Sequence, residues 1–332
     1  MRWVLLVYML LWSLGLSAQP LTFALIPKST DSPFFAQARA GCEQAAEALG
    51  VRCLYVGSPD LDIRQQNHLV ETLMEEGIDG IALSVAGSAF LVNHSMQAAM
   101  ASGLPVVTFD SDFAAEDLAR YPELRRAYIG TDNYALGHAI GEAVLRERPR
   151  GGKLCVISGH VLSPNLQRRI NGLRDALAAD RPAPGHSARL NTAQWSEFYR
   201  CPMYSRDDIA RSRQLTSFAL RVHQEHPDQL DTVAILGSWP QSDADAYRQL
   251  IGPYLNAIRS KALVMVIGDT LPQQLELLNE GGAHANIGQN AFEMGRQAIH
   301  TLYRIVKGES YEKITHTPIT HCLPETLSTC TR

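Results

Sequence analysis

Polar and aromatic side chains recur at one kind of place in this chain, directly after short apolar runs. Lys28 follows "LTFALIP", with the ring pair Phe34 and Phe35 just beyond it. Ser84 follows "GIAL", Asp110 follows "PVVTF", and Thr131, Asp132 and Asn133 follow "AYIG". Trp239 follows "AILGS", Asp269 follows "VMVIG", and Gln289 follows "ANIG". Carboxylates, amides and amines hold hydroxyl groups through charge-assisted hydrogen bonds, while aromatic rings cover C–H faces. The set therefore suits recognition of a sugar-like, polyhydroxylated small molecule. Taken singly, a strand-end Asp is an ordinary helix cap and a Phe an ordinary core residue. Their collective placement favours a binding cleft.

Bond-making chemistry has no comparable support. There is no Gly-x-Ser-x-Gly elbow, no GxxxxGK[ST] phosphate loop, no HExxH and no GxGxxG. No Cys/His spacing fits zinc, so no metal and no cofactor are expected, and the protein is not expected to be an enzyme.

The elements that must position these residues alternate regularly. "LTFALI" leads into "FFAQARAGCEQAAEALG", "RCLYVG" into "DIRQQNHLVETLMEEG", and "DGIALS" into "SAFLVNHSMQAAMASG", followed by "PVVTFD". A second series runs from "AYIGTDN" through "KLCVISG", "ARLNTA", "DTVAILGS" and "ALVMVIGD" to "HANIGQ", each followed by a helical pattern. Short, nearly continuous apolar runs of this kind mark parallel strands covered on both faces. Gly50, Gly77 and Gly103 stand where helices should stop. The expectation is an α/β protein of two similar units with parallel sheets, the last helix being free to return to the first unit. In open α/β sheets, ligands bind outside the carboxyl ends of the strands. Two such sheets face to face would close a polar, aromatic-lined cleft. Phe34 and Phe35 lie about 100° apart on a helix, so they are not expected both to face one core.

The segment "WSEFYRCPMYSRDD", Trp195 to Asp208, breaks the alternation and reads as a long loop with Cys201 as a possible pin. Long ordered loops are more often functional than filler.

With 332 residues, 45% hydrophobic and 19% charged, the composition is that of an ordinary globular protein large enough for two domains. A net charge of −4 gives no support to a nucleic-acid partner. Arg2, the apolar run "WVLLVYMLLWSLGL" and the small residues before Gln19 form the pattern of a secretory signal peptide over residues 1–18, with a retained anchor as the alternative. The mature protein is then expected to be soluble and outside the cytoplasm, starting near Gln19. In an oxidising compartment, the six cysteines favour disulfides. Cys42–Cys53 and Cys322–Cys330 are the nearest pairs in sequence, and Cys155, inside an apolar strand, reads as a buried thiol.

From Leu21 to Pro318 the chain resembles the type I periplasmic binding proteins, in particular the ribose-binding-like sugar receptors of ABC transporters. The resemblance lies in "IPKSTDSPFF", "GIDGIALSVAGSA", "GLPVVTFDSD", "YIGTDNYALGHAIGE", "NLQRRINGLRDAL", "VIGD" and "NIGQNAFEMGRQAI". It implies two Rossmann-like lobes joined by a three-strand hinge. The N-terminal lobe would take residues 19–131 plus 290–317, and the C-terminal lobe 132–289 plus 318–332. The crossings would fall near Thr131–Asp132, Gln289–Asn290 and Thr317–Pro318. It also implies a ligand set of Lys28, Phe34, Phe35, Ser84, Asp110, Thr131, Asn133, Arg169, Trp239, Asp269 and Gln289. Arg169, in "RRINGL", matches an arginine that forks onto hydroxyls. The chain departs from the pattern at Ser111, where an arginine often stands, and at Trp239, where a small polar residue is usual. The implied partner of this monomer is the membrane permease of an ABC importer. The alternative is the periplasmic domain of a sensor kinase or chemoreceptor reading a sugar or autoinducer-2-like signal.

Overall fold

The computed structural model describes residues 19–178 and 188–330, so the signal-peptide expectation lies outside the described residues. The apolar runs form two sheets. The first takes β1 (Thr22–Ile26), β2 (Arg52–Tyr55), β3 (Gly80–Leu83), β4 (Val106–Phe109) and β5 (Ala127–Gly130). The second takes β6 (Gly152–Ser158), β7 (Trp195–Glu197), β8 (Met203–Tyr204), β9 (Thr232–Ile235), β10 (Val264–Gly268) and β11 (Ala285–Gly288). The chain then adds β12 (Ile314–His316) to the first sheet and β13 (Thr320–Cys322) to the second. The orders are β12-β5-β4-β3-β1-β2 and β13-β11-β10-β9-β6-β7, with β8 also on β6. All pairings are parallel except β13 on β11.

Every residue of β3, β4, β5, β9, β10 and β11 is buried, because helices cover both faces of each sheet. In the first lobe Phe23, Leu25 and Phe109 pack with the helices Pro33–Leu49 and Ala291–Lys307. The alternating Ala24 and Ile26 pack with Ile63–Glu75 and Ser95–Ser102 on the other face. The last long helix thus lies on the first sheet. Each lobe carries one close helix pair with reciprocal glycines. A Cβ on Gly41 would come within 1.9 Å of the Phe292 carbonyl oxygen, and one on Gly295 within 1.9 Å of that of Ala38. In the second lobe, a Cβ on Gly137 would meet the Arg169 carbonyl oxygen at 2.0 Å, and one on Gly172 that of Tyr134 at 2.1 Å. This second crossing presses the backbone of Arg169 onto the helix Asn133–Glu147.

The chain passes between the sheets after β5, after β11 and after β12. The hydroxyls of Thr131 and Thr317, on two of these passages, stand 3.3 Å apart.

Two expectations need correction. "ARLNTA" does not form the expected strand. Thr192 and Trp195 instead close a tight turn, with Thr192 N–H donating to the Trp195 carbonyl at 2.8 Å and Trp195 N–H to Thr192 Oγ1 at 2.9 Å. The pairing strand starts at Trp195, whose fully buried ring anchors it in the core. Nor is Cys155 a free thiol: it is bonded to Cys201. The physical reason lies in the edge pairing. β7 pairs with Gly152–Leu154 and β8 with Ile157–Ser158, so the bulged stretch between them lies opposite Cys155. The expected loop is therefore an interrupted edge strand with Cys201 as its pin. Cys42–Cys53 and Cys322–Cys330 are also bonded.

Candidate functional site

Between the carboxyl ends of the two sheets lies a cleft lined by Lys28, Phe34, Phe35, Asp110, Arg169, Trp239, Asp269 and Gln289 among the residues anticipated from sequence. In this arrangement the cleft encloses about 50 Å³. Asp110 follows β4 and Asp269 follows β10, and both adopt left-handed backbone, φ 56° and 69°. Asp tolerates this region better than most residues, and non-glycine residues held there cluster at functional sites. The turn aims each carboxylate over the end of its sheet.

Arg169 is 2% exposed and links the lobes. Its Nε donates to Asn133 Oδ1, Nη1 to the Leu236 carbonyl and Nη2 to Gln289 Oε1, each at 2.8 Å. Nη2 also lies 3.9 Å from Asp110 Oδ1. Gln289 Nε2 in turn donates to Asp269 Oδ1 at 2.8 Å, and Ser238 N–H donates to Asp269 Oδ2 at 2.9 Å. Burial nonetheless holds the Asp269 carboxyl above its ordinary range, opposed by Arg169 and these hydrogen bonds. Lys28 Nζ stands 3.5 Å from Asp110 Oδ2 and donates across the cleft to Asn165 Oδ1 at 3.3 Å.

Phe34 and Phe35 start the helix Pro33–Leu49 with Pro33 at its head, and both rings line the cleft. They meet edge to face with centroids 5.2 Å apart, and Phe35 meets Phe109 in the same way at 6.0 Å. Both also belong to the first lobe's core, against the expectation that they would not both face one core, because the helix start lies where that core meets the cleft. Trp239 has room because Gly159 and Gly237 flank it: a Cβ on either would lie 2.8 Å from its ring.

Three anticipated residues are near the cleft but do not line it. Ser84 is fully buried and its Oγ donates to Asp110 Oδ2 at 2.9 Å, steadying that carboxylate from behind. Thr131 sits at the passage between lobes, and Asn133 is turned inward. Asn133 Nδ2 donates to Tyr128 OH and to the Thr131 carbonyl, while its Oδ1 holds Arg169.

The cleft also contains Asn165, Asp207 and Ser238, which the sequence reading missed. Asn165 had a signal. "SPFF" at 32–35 and "SPNL" at 163–166 open equivalent helices in the two lobes, and both residues after each proline line the cleft. For Asp207 the signal was only that the irregular Trp195–Asp208 segment could reach the cleft, which does not single out this residue.

Residues 23–310 match the family model of the periplasmic binding protein domain. The chain belongs to the periplasmic binding protein family. This binding protein is 22% identical over 297 residues to the ribose import binding protein of Escherichia coli (strain K12), covering 88% of this chain and 86% of that one. It is 24% identical over 293 residues to the D-ribose/D-allose-binding protein of Pseudomonas aeruginosa, covering 87% and 83%. Among solved structures, an ABC transporter solute-binding protein from Burkholderia graminis in complex with D-arabinose superposes with a TM-score of 0.76 at 26% identity, covering 94% of this chain and 98% of that one. A glucose-galactose binding protein from Geobacillus stearothermophilus shares the fold, with a TM-score of 0.74 at 22% identity over 92% and 98%. These relatives are binding proteins rather than enzymes. No helix among the described residues is long and apolar enough to cross a membrane.

Proposed function

We propose that this binding protein captures a monosaccharide in the periplasm and delivers it to the permease of an ABC importer. The observation that carries the reading is the pair of left-handed aspartates, Asp110 and Asp269, one at the end of a central strand in each lobe, with Arg169 between them. A ligand held by both completes contacts available only when the lobes are together, so it shifts the population towards the closed form. The relatives' ligands, ribose, allose and arabinose, give the size class. The enclosed 50 Å³ is far below the roughly 150 Å³ cavity that accepts a benzene ring, so entry requires the lobes to part. The lobe boundaries are the three passages, at Thr131–Asp132, Gln289–Asn290 and Thr317–Pro318. Lys28, Asp110, Arg169, Asp269 and Gln289 take hydroxyls, and Phe34, Phe35 and Trp239 cover the ring faces.

A thermal-shift screen of pentoses and hexoses tests this reading. A specific sugar at 100 times its Kd should stabilise the protein by about 2.7 kcal/mol. No shift with any monosaccharide would count against it.

A further inference from the structure

The segment Trp195–Asp208 brings Asp207 to the cleft. Ser205 N–H donates to the Ser158 carbonyl at 2.8 Å and Arg206 N–H to that of Gly159 at 3.1 Å, so the segment follows β6 to its end. Arg206 and Asp207 are then both left-handed, φ 64° and 62°, and the double turn leaves Arg206 exposed while Asp207 lines the cleft. The Asp207 carboxylate lies over Gly159, where a Cβ would come within 1.7 Å of Oδ1. That Oδ1 is buried and has no hydrogen-bond partner among the described residues. Lys28, His160 and the His160 backbone amide favour the charged form, but Lys28 is engaged with Asn165 and Asp110 and Oδ1 is left without a donor among the described residues. Around the cleft, Asp110, Asp207 and Asp269 face Lys28 and Arg169, an excess of negative charge. A buried acceptor without a donor is unfavourable, and a ligand supplying the donor would remove that cost on binding.

We propose that Asp207 sets the specificity of the cleft by accepting a hydrogen bond from a ligand hydroxyl or ammonium at the edge facing the Trp195–Asp208 segment. This rests on the sugar-binding reading above and adds a contact delivered by a disulfide-pinned segment. An ammonium, as on an amino sugar, would also neutralise the excess charge; a hydroxyl would supply the donor alone.

The test is calorimetry on the wild type, Asp207→Gly and Asp207→Asn, two residues that accept left-handed backbone. The probes are D-ribose, D-allose, D-arabinose, D-xylose, D-glucosamine and D-galactosamine, with 2-deoxy-D-ribose and other deoxy sugars. The tightest probe should bind Asp207→Gly at least tenfold more weakly. One deoxy analogue should lose a similar factor on the wild type, yet bind wild type and Asp207→Gly alike. A larger loss in Asp207→Asn for the amino sugars than for neutral sugars assigns an ammonium; equal losses assign a hydroxyl. Both variants binding every probe like the wild type would overturn the proposal. So would an equal loss across all probes, deoxy sugars included, which would mean only a disturbed segment. If no probe binds even the wild type, the sugar-binding reading fails and this inference fails with it.

Discussion

Asp110 and Asp269 occupy equivalent places in the two lobes. Each is the first residue after a central strand, each is left-handed, and each donates its backbone N–H to an isoleucine carbonyl on the neighbouring strand, Ile129 at 3.1 Å and Ile287 at 2.8 Å. Their side chains meet the same arginine network from opposite sides. The two lobes thus present a carboxylate to the cleft from the same backbone turn, though held by different partners.

Arg169 lines the cleft and is also a structural tie. Arg169→Ala leaves Asn133 Oδ1, the Leu236 carbonyl and Gln289 Oε1 without their donor. Stability should fall by about 3–5 kcal/mol, as when one partner of a buried charged pair is removed. Arg169→Lys keeps the charge but not the fork, and should still bind at least about tenfold more weakly. Thermal melts and calorimetry check both, and an Arg169→Ala protein as stable as the wild type would contradict the role.

The Cys155–Cys201 bridge closes a sequence separation of 46 residues, against 11 for Cys42–Cys53. On chain entropy alone these are worth about 4 and about 3 kcal/mol. Unreduced secreted protein should show no free thiol by mass spectrometry. A Cys155→Ala, Cys201→Ala double variant should lose stability and also sugar affinity, because the freed segment carries Asp207. Detection of free Cys155 in folded wild-type protein would refute the pairing.

The fold was legible because parallel strands buried on both faces must read as short apolar runs, and β3, β4, β5 and β9 to β11 do. Strand ends were legible as places, but not the direction in which each side chain turns. Ser84, Thr131 and Asn133 stand at the expected ends, yet their side chains bond to Asp110, Thr317 and Arg169 and do not line the cleft. Asn165 is marked in the sequence by "SPNL", the counterpart of "SPFF" in the other lobe. Asp207 is not marked in this way, since its approach requires an interrupted edge strand, a disulfide and two left-handed residues.

Burial raises the Asp207 carboxyl pKa, with Asp110 adding to the shift and Lys28, His160 and the His160 backbone amide opposing it. A raised carboxyl pKa contributes stability below its ordinary range, about 3.9, that is lost as pH rises through the folded value. Sugar-free Asp207→Asn should therefore melt higher than the wild type at neutral pH, with the difference shrinking as pH falls towards that range. A difference independent of pH would place the effect elsewhere.

The lobes have passages after β5, β11 and β12, and the cleft between them holds about 50 Å³. Small-angle scattering should show a larger radius of gyration without sugar than with it. Equal radii with sugar demonstrably bound would argue against opening at these passages.

The most direct measurement is calorimetry of the best monosaccharide on the wild type, Asp110→Asn and Asp269→Asn. Asn accepts the left-handed backbone, so each change removes charge while sparing the turn. One site per chain is predicted. Each variant should bind at least about tenfold more weakly, since losing a charge-assisted bond costs about 1.4 kcal/mol or more. Unchanged affinity in both variants, or a loss confined to one lobe, would contradict a ligand held between the two.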